Sequence, residues 1–203
     1  MNPWMSEDEI RTLEEEFLRL ERDHLDVLEW GCGGSTDYFT SFLRRNGVSY
    51  HWTSVEHNRT WYEKVAERLQ ADDDVEVHLF AAGDDGTPVA ELPMDDYVEF
   101  PATLGRRFDF ILVDGRKRKR CLEQAQQLLK PGGIVILHDA NRGKYHGAFR
   151  SYPDSSFLVR KVWRGSNASR TALQRIGDKA NYAYYRVIVK QLFKARERMR
   201  RLR

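Results

Sequence analysis

The chain has 203 residues, 41% of them hydrophobic and 32% charged, with a formal net charge of +2. The length suits a single domain, and the apolar share suffices for a buried core. Cys32 and Cys121 are the only cysteines, far apart in sequence, which excludes a disulfide framework or a cysteine-rich zinc site and makes a reducing, cytoplasmic location the expectation.

The amino-terminal residues are acidic and lack the apolar run of a signal peptide. The longest apolar stretch, Gly133 to Leu137, is far too short for a transmembrane segment. Charge is unevenly spread. Residues 1–100 hold 8 Lys and Arg against 24 Asp and Glu, whereas residues 101–203 hold 25 against 7. Either the two halves neutralise each other within one fold, or a basic face awaits an anionic partner or a second copy in a homodimer.

Ser6 to Glu9 reads as a capping box, and Ile10, Leu13, Phe17 and Leu20 follow at helical spacing. An amphipathic helix is therefore expected within residues 1–24, ahead of a core over 25–190 and a basic tail over 191–203, all in one domain. Strands are expected at 25–29, 50–56, 75–82, 108–113 and 134–137. Helices are expected at 36–45, 59–69 and 121–130. Residues 86–107 read as an irregular insertion with one short helix. A more exposed strand is expected at 157–163, and a last one at 182–189. Strands of continuous Val, Ile and Leu that alternate with helices predict a parallel sheet covered on both faces. Ligands of such sheets sit beyond the carboxyl ends of the strands, where the strand order reverses.

The most informative stretch lies at the first of those ends. Val27-Leu28-Glu29 closes a strand, and Trp30-Gly31-Cys32-Gly33-Gly34-Ser35-Thr36 turns into a helix. Glycines let a backbone approach a ligand closely, and a helix start offers unpaired N–H groups. The dinucleotide fingerprint is met at Gly31 and Gly33, but Thr36 holds its sixth place. Glu56 ends the second strand, where a carboxylate can accept both ribose hydroxyls of an adenosine cofactor, whether NAD or another.

The motifs "VLEWGCGGST", "SVEHN", "FDFILVDG" and "LLKPGGIVILHDA", in that order over residues 25–142, resemble those of class I S-adenosylmethionine-dependent methyltransferases. Within that family the "VDG…R" and "HDA…R…Y" arrangement is similar to that of small O-methyltransferases. The resemblance implies a Rossmann-like fold, a seven-stranded mostly parallel sheet with helices on both faces and an antiparallel last strand. It implies that Glu29 holds the cofactor's amino group through a loop contact or water, that Gly31, Gly33 and Gly34 let the protein backbone approach its methionine carboxyl and ribose, and that Glu56 binds the ribose hydroxyls. Asp84 would sit near the adenine. Ser35 stands where many members have a third glycine and could donate its hydroxyl to the cofactor.

Methyl transfer requires alignment of the acceptor oxygen and removal of its proton. Asp114, His138 and Asp139 lie at adjacent strand ends and are the candidates for that work, with His138 or Asp114 as base. Arg116 and Arg120, from a run of five cations, and Arg142 and Tyr145 from the next loop, are candidates to grip an anionic acceptor. Some small O-methyltransferases bind a divalent metal, and Asp114, Asp139 and Asn141 would be its ligands here; the displaced asparagine disfavours that reading.

The expected activity is methyl transfer to a hydroxyl of a small, anionic acceptor such as a sugar or glycan precursor. The alternatives are an RNA methyltransferase using the basic half, a non-catalytic cofactor-binding or scaffold module, and an NAD-dependent oxidoreductase, which Thr36 disfavours. The basic tail could dock on nucleic acid or an anionic membrane surface.

Overall fold

A computed structural model describes residues 1–83 and 86–168. Asp84, the expected strand 182–189 and the basic tail lie outside the described residues. The elements run α1 (Glu7–Arg19), β1 (His24–Trp30), α2 (Gly34–Arg45), β2 (Ser49–Glu56), α3 (Arg59–Leu69), β3 (Val75–Leu79), α4 (Asp95–Thr103), β4 (Phe108–Val113), α5 (Arg118–Leu128), β5 (Leu129–Leu137), β6 (Asp154–Val159) and β7 (Val162–Ser166). Two 3-10 turns, Gly143–Tyr145 and Ala148–Ser151, link β5 to β6.

The seven strands form one sheet in the order β3-β2-β1-β4-β5-β7-β6. β1 pairs in parallel with both β2 and β4, β2 with β3, and β4 with β5. β7 is antiparallel to both its neighbours, β5 and β6. The order reverses between β1 and β4, so the two central strands deliver their carboxyl ends side by side. That is where an open sheet of this kind places its ligand.

Side chains alternate between the faces, as the pleat dictates. Val27, Trp52, Phe110, Leu112 and Ile136 meet Leu13 and Phe17 of α1 and Phe39 and Leu43 of α2. Leu28, Trp30, Ile111, Val113 and Leu137 meet Tyr97 and Val98 of α4 and Leu122 and Ala125 of α5. Phe17 stacks on Phe110 at 3.8 Å and tilts against Phe39 at 5.4 Å. α1 is thus clamped across the sheet by its apolar face.

The capping box forms: Glu9 N–H donates to Ser6 Oγ, and Ser6 N–H donates to Glu9 Oε2. The single strand expected at 157–163 is instead a hairpin turning at Arg160 and Lys161. The two short strands pair with each other, and β7 pairs with β5, so the hairpin adds two strands to the sheet and β6 becomes its edge. β5 begins at Leu129, upstream of Pro131-Gly132-Gly133, and its pairing with β4 shifts register beside that segment.

Part of the uneven charge is paired among the described residues. Arg22 pairs with Asp109, Lys130 with Asp109 at 2.8 Å, Arg106 with Glu76 at 2.8 Å, Arg120 with Asp95 at 2.7 Å, and Arg164 with Glu16 at 3.0 Å. Most of these pairs join the acidic first half to the basic second half. No helix among the described residues is long and apolar enough to cross a membrane.

Because Phe17 is buried, stacked on Phe110 of the sheet and tilted against Phe39 of α2, Phe17→Ala should cost about 3–5 kcal/mol of unfolding free energy. Urea denaturation measures it; a loss below about 1 kcal/mol would mean that α1 is not docked as described.

Candidate active site

The loops after β1 and β4 are in backbone contact. Asp114 N–H donates to Trp30 O at 3.0 Å, and Gly31 N–H donates to Val55 O at 2.8 Å. Gly31 has φ +101°, and a Cβ there would lie 2.7 Å from Gly115 Cα. A Cβ on Gly115 would in turn collide with Tyr97 Oη. Glycine is needed at both positions so that the two strand ends can touch.

The other two loop glycines differ. A Cβ on Gly34 would strike Asn2 O, so this glycine accommodates the amino-terminal segment. Gly33 has nothing within 4 Å of a built Cβ and lines an open cleft. Of the three expected cofactor glycines, Gly33 leaves room for a ligand, while Gly31 and Gly34 serve contacts within the protein.

Glu29 lies beneath this loop, fully buried. Its carboxylate accepts hydrogen bonds from Ser35 Oγ, Thr36 Oγ1 (2.6 Å), Ser54 Oγ (2.9 Å) and Trp52 Nε1 (3.1 Å). Burial pushes its carboxyl up to about 7, against the pull of those donors. Glu29 therefore fastens the loop from below and does not line the cleft, and the Ser35 hydroxyl is committed to it.

Glu56 plays the matching part from β2. Its carboxylate accepts from the backbone N–H groups of Cys32 (2.9 Å), His57 (2.9 Å) and Asn58 (2.7 Å), and it lines the cleft. Two loops are thus organised around one acid that still faces the ligand space.

The cleft has a volume of about 550 Å³. Its wall includes Gly31 to Ser35, Glu56 to Asn58, Asp114 to Arg116, Arg118, His138 and Asp139. α2 starts at Gly34 within that wall, which brings the positive end of its dipole to the cleft. Asn2, Trp4 and Trp61 also line the cleft. Trp4 meets Trp61 edge-to-face at 5.5 Å yet stays 84% exposed.

Asp114, His138 and Asp139 come together as expected. His138 Nδ1 is 2.9 Å from Asp114 Oδ1. Its Nε2 is 3.4 Å from Glu9 Oε2, which arrives from α1. Arg118 ties the strand ends, donating to the carbonyls of Asp114 (2.6 Å), Gly115 (2.9 Å) and His138 (2.6 Å). It also pairs with Asp114 Oδ1 at 3.0 Å and Asp139 Oδ2 at 3.6 Å. Asp139, at φ +56°, holds an uncommon backbone conformation for a non-glycine residue.

The expected acceptor-gripping residues separate. Arg116 lines the cleft, with its Nε 3.4 Å from His57 Nε2. Arg120 turns away to Asp95, Glu99 and Pro93 O. Arg142 pairs with Asp139 at 2.6 Å on the exposed side, and Tyr145 is buried in the core beside α5 rather than in the cleft wall. Arg118 and Glu9 are the residues that the sequence does not single out. Arg118 is one of five adjacent cations, and the phase of α5 alone selects it; Glu9 already has a use as a helix cap. Among the described residues, no group of three or more His, Cys, Asp and Glu is placed to hold a metal ion.

The family comparison agrees with this geometry. Residues 28–140, more than half of the chain, match the model of a methyltransferase domain. The chain therefore belongs to that family, the S-adenosylmethionine-dependent methyltransferases that its motifs resemble. A methyltransferase-like protein from Silicibacter pomeroyi shares the fold, with 22% identity, TM-score 0.59, and coverage of 87% of this chain and 94% of that one. So does an O-methyltransferase from Bacillus cereus solved with SAH, with 19% identity, TM-score 0.55, and coverage of 79% and 80%. A comparison with curated proteins finds no match.

The raised Glu29 carboxyl sets a pH dependence. The folded chain binds this proton more tightly than the unfolded chain, so the stability it contributes is full below about 4.5 and lost as pH rises through about 7. Glu29→Gln cannot ionise. Apart from a constant offset, wild type should lose about 3 kcal/mol relative to this variant between about pH 4.5 and about pH 8 in urea melts. Parallel pH profiles for the two proteins would contradict the assignment.

Proposed function

We propose that this chain is an O-methyltransferase whose acceptor is a small, anionic hydroxyl compound, such as a sugar or glycan precursor. S-adenosylmethionine, when bound, supplies an electrophilic methyl group on a sulfonium. The chain's own residues fit such a ligand. Glu56 lines the cleft with a carboxylate suited to ribose hydroxyls. Gly33 leaves space beside it, and the start of α2 suits the methionine carboxylate.

The observation that carries the reading is the setting of Asp114. His138 and Arg118 both contact its Oδ1, which leaves Oδ2 outside those two contacts. A carboxylate held in this way at the cleft can take the proton of an acceptor hydroxyl as the oxygen attacks. His138 is a poor candidate for that step, because both its ring nitrogens already face carboxylates. Arg116, at the cleft wall, is positioned to read an acceptor carboxylate or phosphate.

The basic second half suggests RNA as a substrate, but among the described residues Arg106, Arg120, Lys130, Lys161 and Arg164 of that half pair with carboxylates of the first half. Two buried free thiols, Cys32 and Cys121, suit a reducing cytoplasm.

Isothermal calorimetry should detect S-adenosylhomocysteine binding, and Glu56→Ala should weaken it by about 10–100-fold, the worth of hydrogen bonds to a charged acceptor. No heat of binding with the wild-type protein would refute the proposal. Asp114→Asn should retain that binding and lower methyl transfer from labelled S-adenosylmethionine to a panel of hydroxylated carboxylates and phosphates by about 10²–10⁴-fold. Unchanged transfer would remove Asp114 as the base.

A further inference from the structure

We infer that Glu9 is a positioning residue of the active site: it accepts an N–H from His138 Nε2 and so holds the ring as a fixed double donor between two carboxylates. Glu9 comes from the first turn of α1, 129 positions from His138 in sequence. Both residues are buried. Carboxylates only accept hydrogen bonds, so a ring that satisfies Asp114 at Nδ1 and Glu9 at Nε2 must carry a hydrogen on each nitrogen.

The surroundings favour that state. Asp114 faces the ring from the end of β4, Asp139 from the end of β5, and Glu9 from α1. The neighbouring cations contact these same carboxylates rather than the ring: Arg118 meets Asp114 and Asp139, Arg142 meets Asp139, and Lys161 lies 3.9 Å from Glu9 and 4.0 Å from Asp139. Burial works against a charged imidazole, yet the three carboxylates outweigh it and raise its proton affinity above the ordinary histidine value. His138 then has no lone pair to offer an acceptor, which leaves the proton to Asp114.

One oxygen does two jobs. Glu9 Oε2 accepts from Ser6 N–H at 2.8 Å and lies beside His138. The capping box that starts α1 is therefore also the joint between α1 and the reacting centre. Ser6 continues directly into the segment that carries Asn2 over Gly34 and Trp4 along the cleft wall. The placement of that segment and the charge of His138 are fixed by the same carboxylate.

The inference rests on the reading of Asp114 as proton acceptor, but its test uses neither cofactor nor acceptor, so its failure leaves the S-adenosylhomocysteine result standing. The full chain is labelled with ¹⁵N-histidine, and the His138 signals are assigned by their loss in His138→Asn. In the wild type, both ring nitrogens of His138 should be protonated at about pH 7.5, a pH at which an unperturbed histidine is mostly neutral.

Glu9→Gln keeps a side chain able to complete the capping box but removes the charge. It should lower the His138 midpoint by about one pH unit, a tenfold loss of proton affinity. A bare ring nitrogen on wild-type His138 at that pH would overturn the inference, and this result does not depend on any variant folding. So would a midpoint unmoved in a folded Glu9→Gln protein.

Discussion

The contact between Gly31 and Gly115 governs the rest of this molecule. It exists because β1 and β4 are neighbours in a sheet whose order reverses between them. Two strand ends arriving side by side would be held apart by any pair of side chains. Without them, the loop that carries Gly33 and the loop that carries Asp114 form one cleft wall. Tyr97 closes the arrangement from α4, its hydroxyl accepting from Arg116 N–H at 3.3 Å while its carbonyl accepts from Trp30 Nε1 at 3.0 Å. The insertion over 86–107 thus supports the site from beneath, tied also by Lys117 to Ala90 O and by Arg120 to Asp95.

Acids, most of them buried, do the organising around that contact. Glu29 gathers hydroxyl and indole donors under the first loop. Glu56 gathers backbone N–H groups from the first and second loops. Asp114 and Glu9 flank His138. Each satisfies donors that would otherwise be costly to bury, and each fixes loop geometry before any ligand arrives. Pre-organisation of this kind lets binding energy go into aligning the methyl donor with its acceptor. Burial drives the Glu29 carboxyl up to about 7.

Much of this is legible in the sequence. The parallel strands announce themselves as continuous apolar runs, and their ends are marked by Gly31, Glu56, Asp114 and His138. The first helix is signalled by Ser6 and Glu9, and the structure bears that out. What the sequence hides is long-range geometry. Gly34 and Ser35 line the cleft, but the sequence does not show that Asn2 packs against Gly34 or that the Ser35 hydroxyl donates to Glu29. Five cations from Arg116 to Arg120 look alike; helical phase and the partners Asp95 and Glu99 decide that Arg118 enters the site and Arg120 leaves it. Tyr145 reads as a pocket residue and packs in the core, because apolar surroundings on α5 claim its ring. The β6–β7 hairpin is masked by its turn, Arg160-Lys161, which contains neither glycine nor proline.

A crystal structure of the protein soaked with S-adenosylhomocysteine tests the central claim most directly. The account predicts ribose hydroxyls within hydrogen-bonding distance of Glu56, the amino-acid end beside Gly33 and the start of α2, and the sulfur facing Asp114. An adenosine lying away from Glu56, or a sulfur turned from Asp114 toward bulk water, would contradict it.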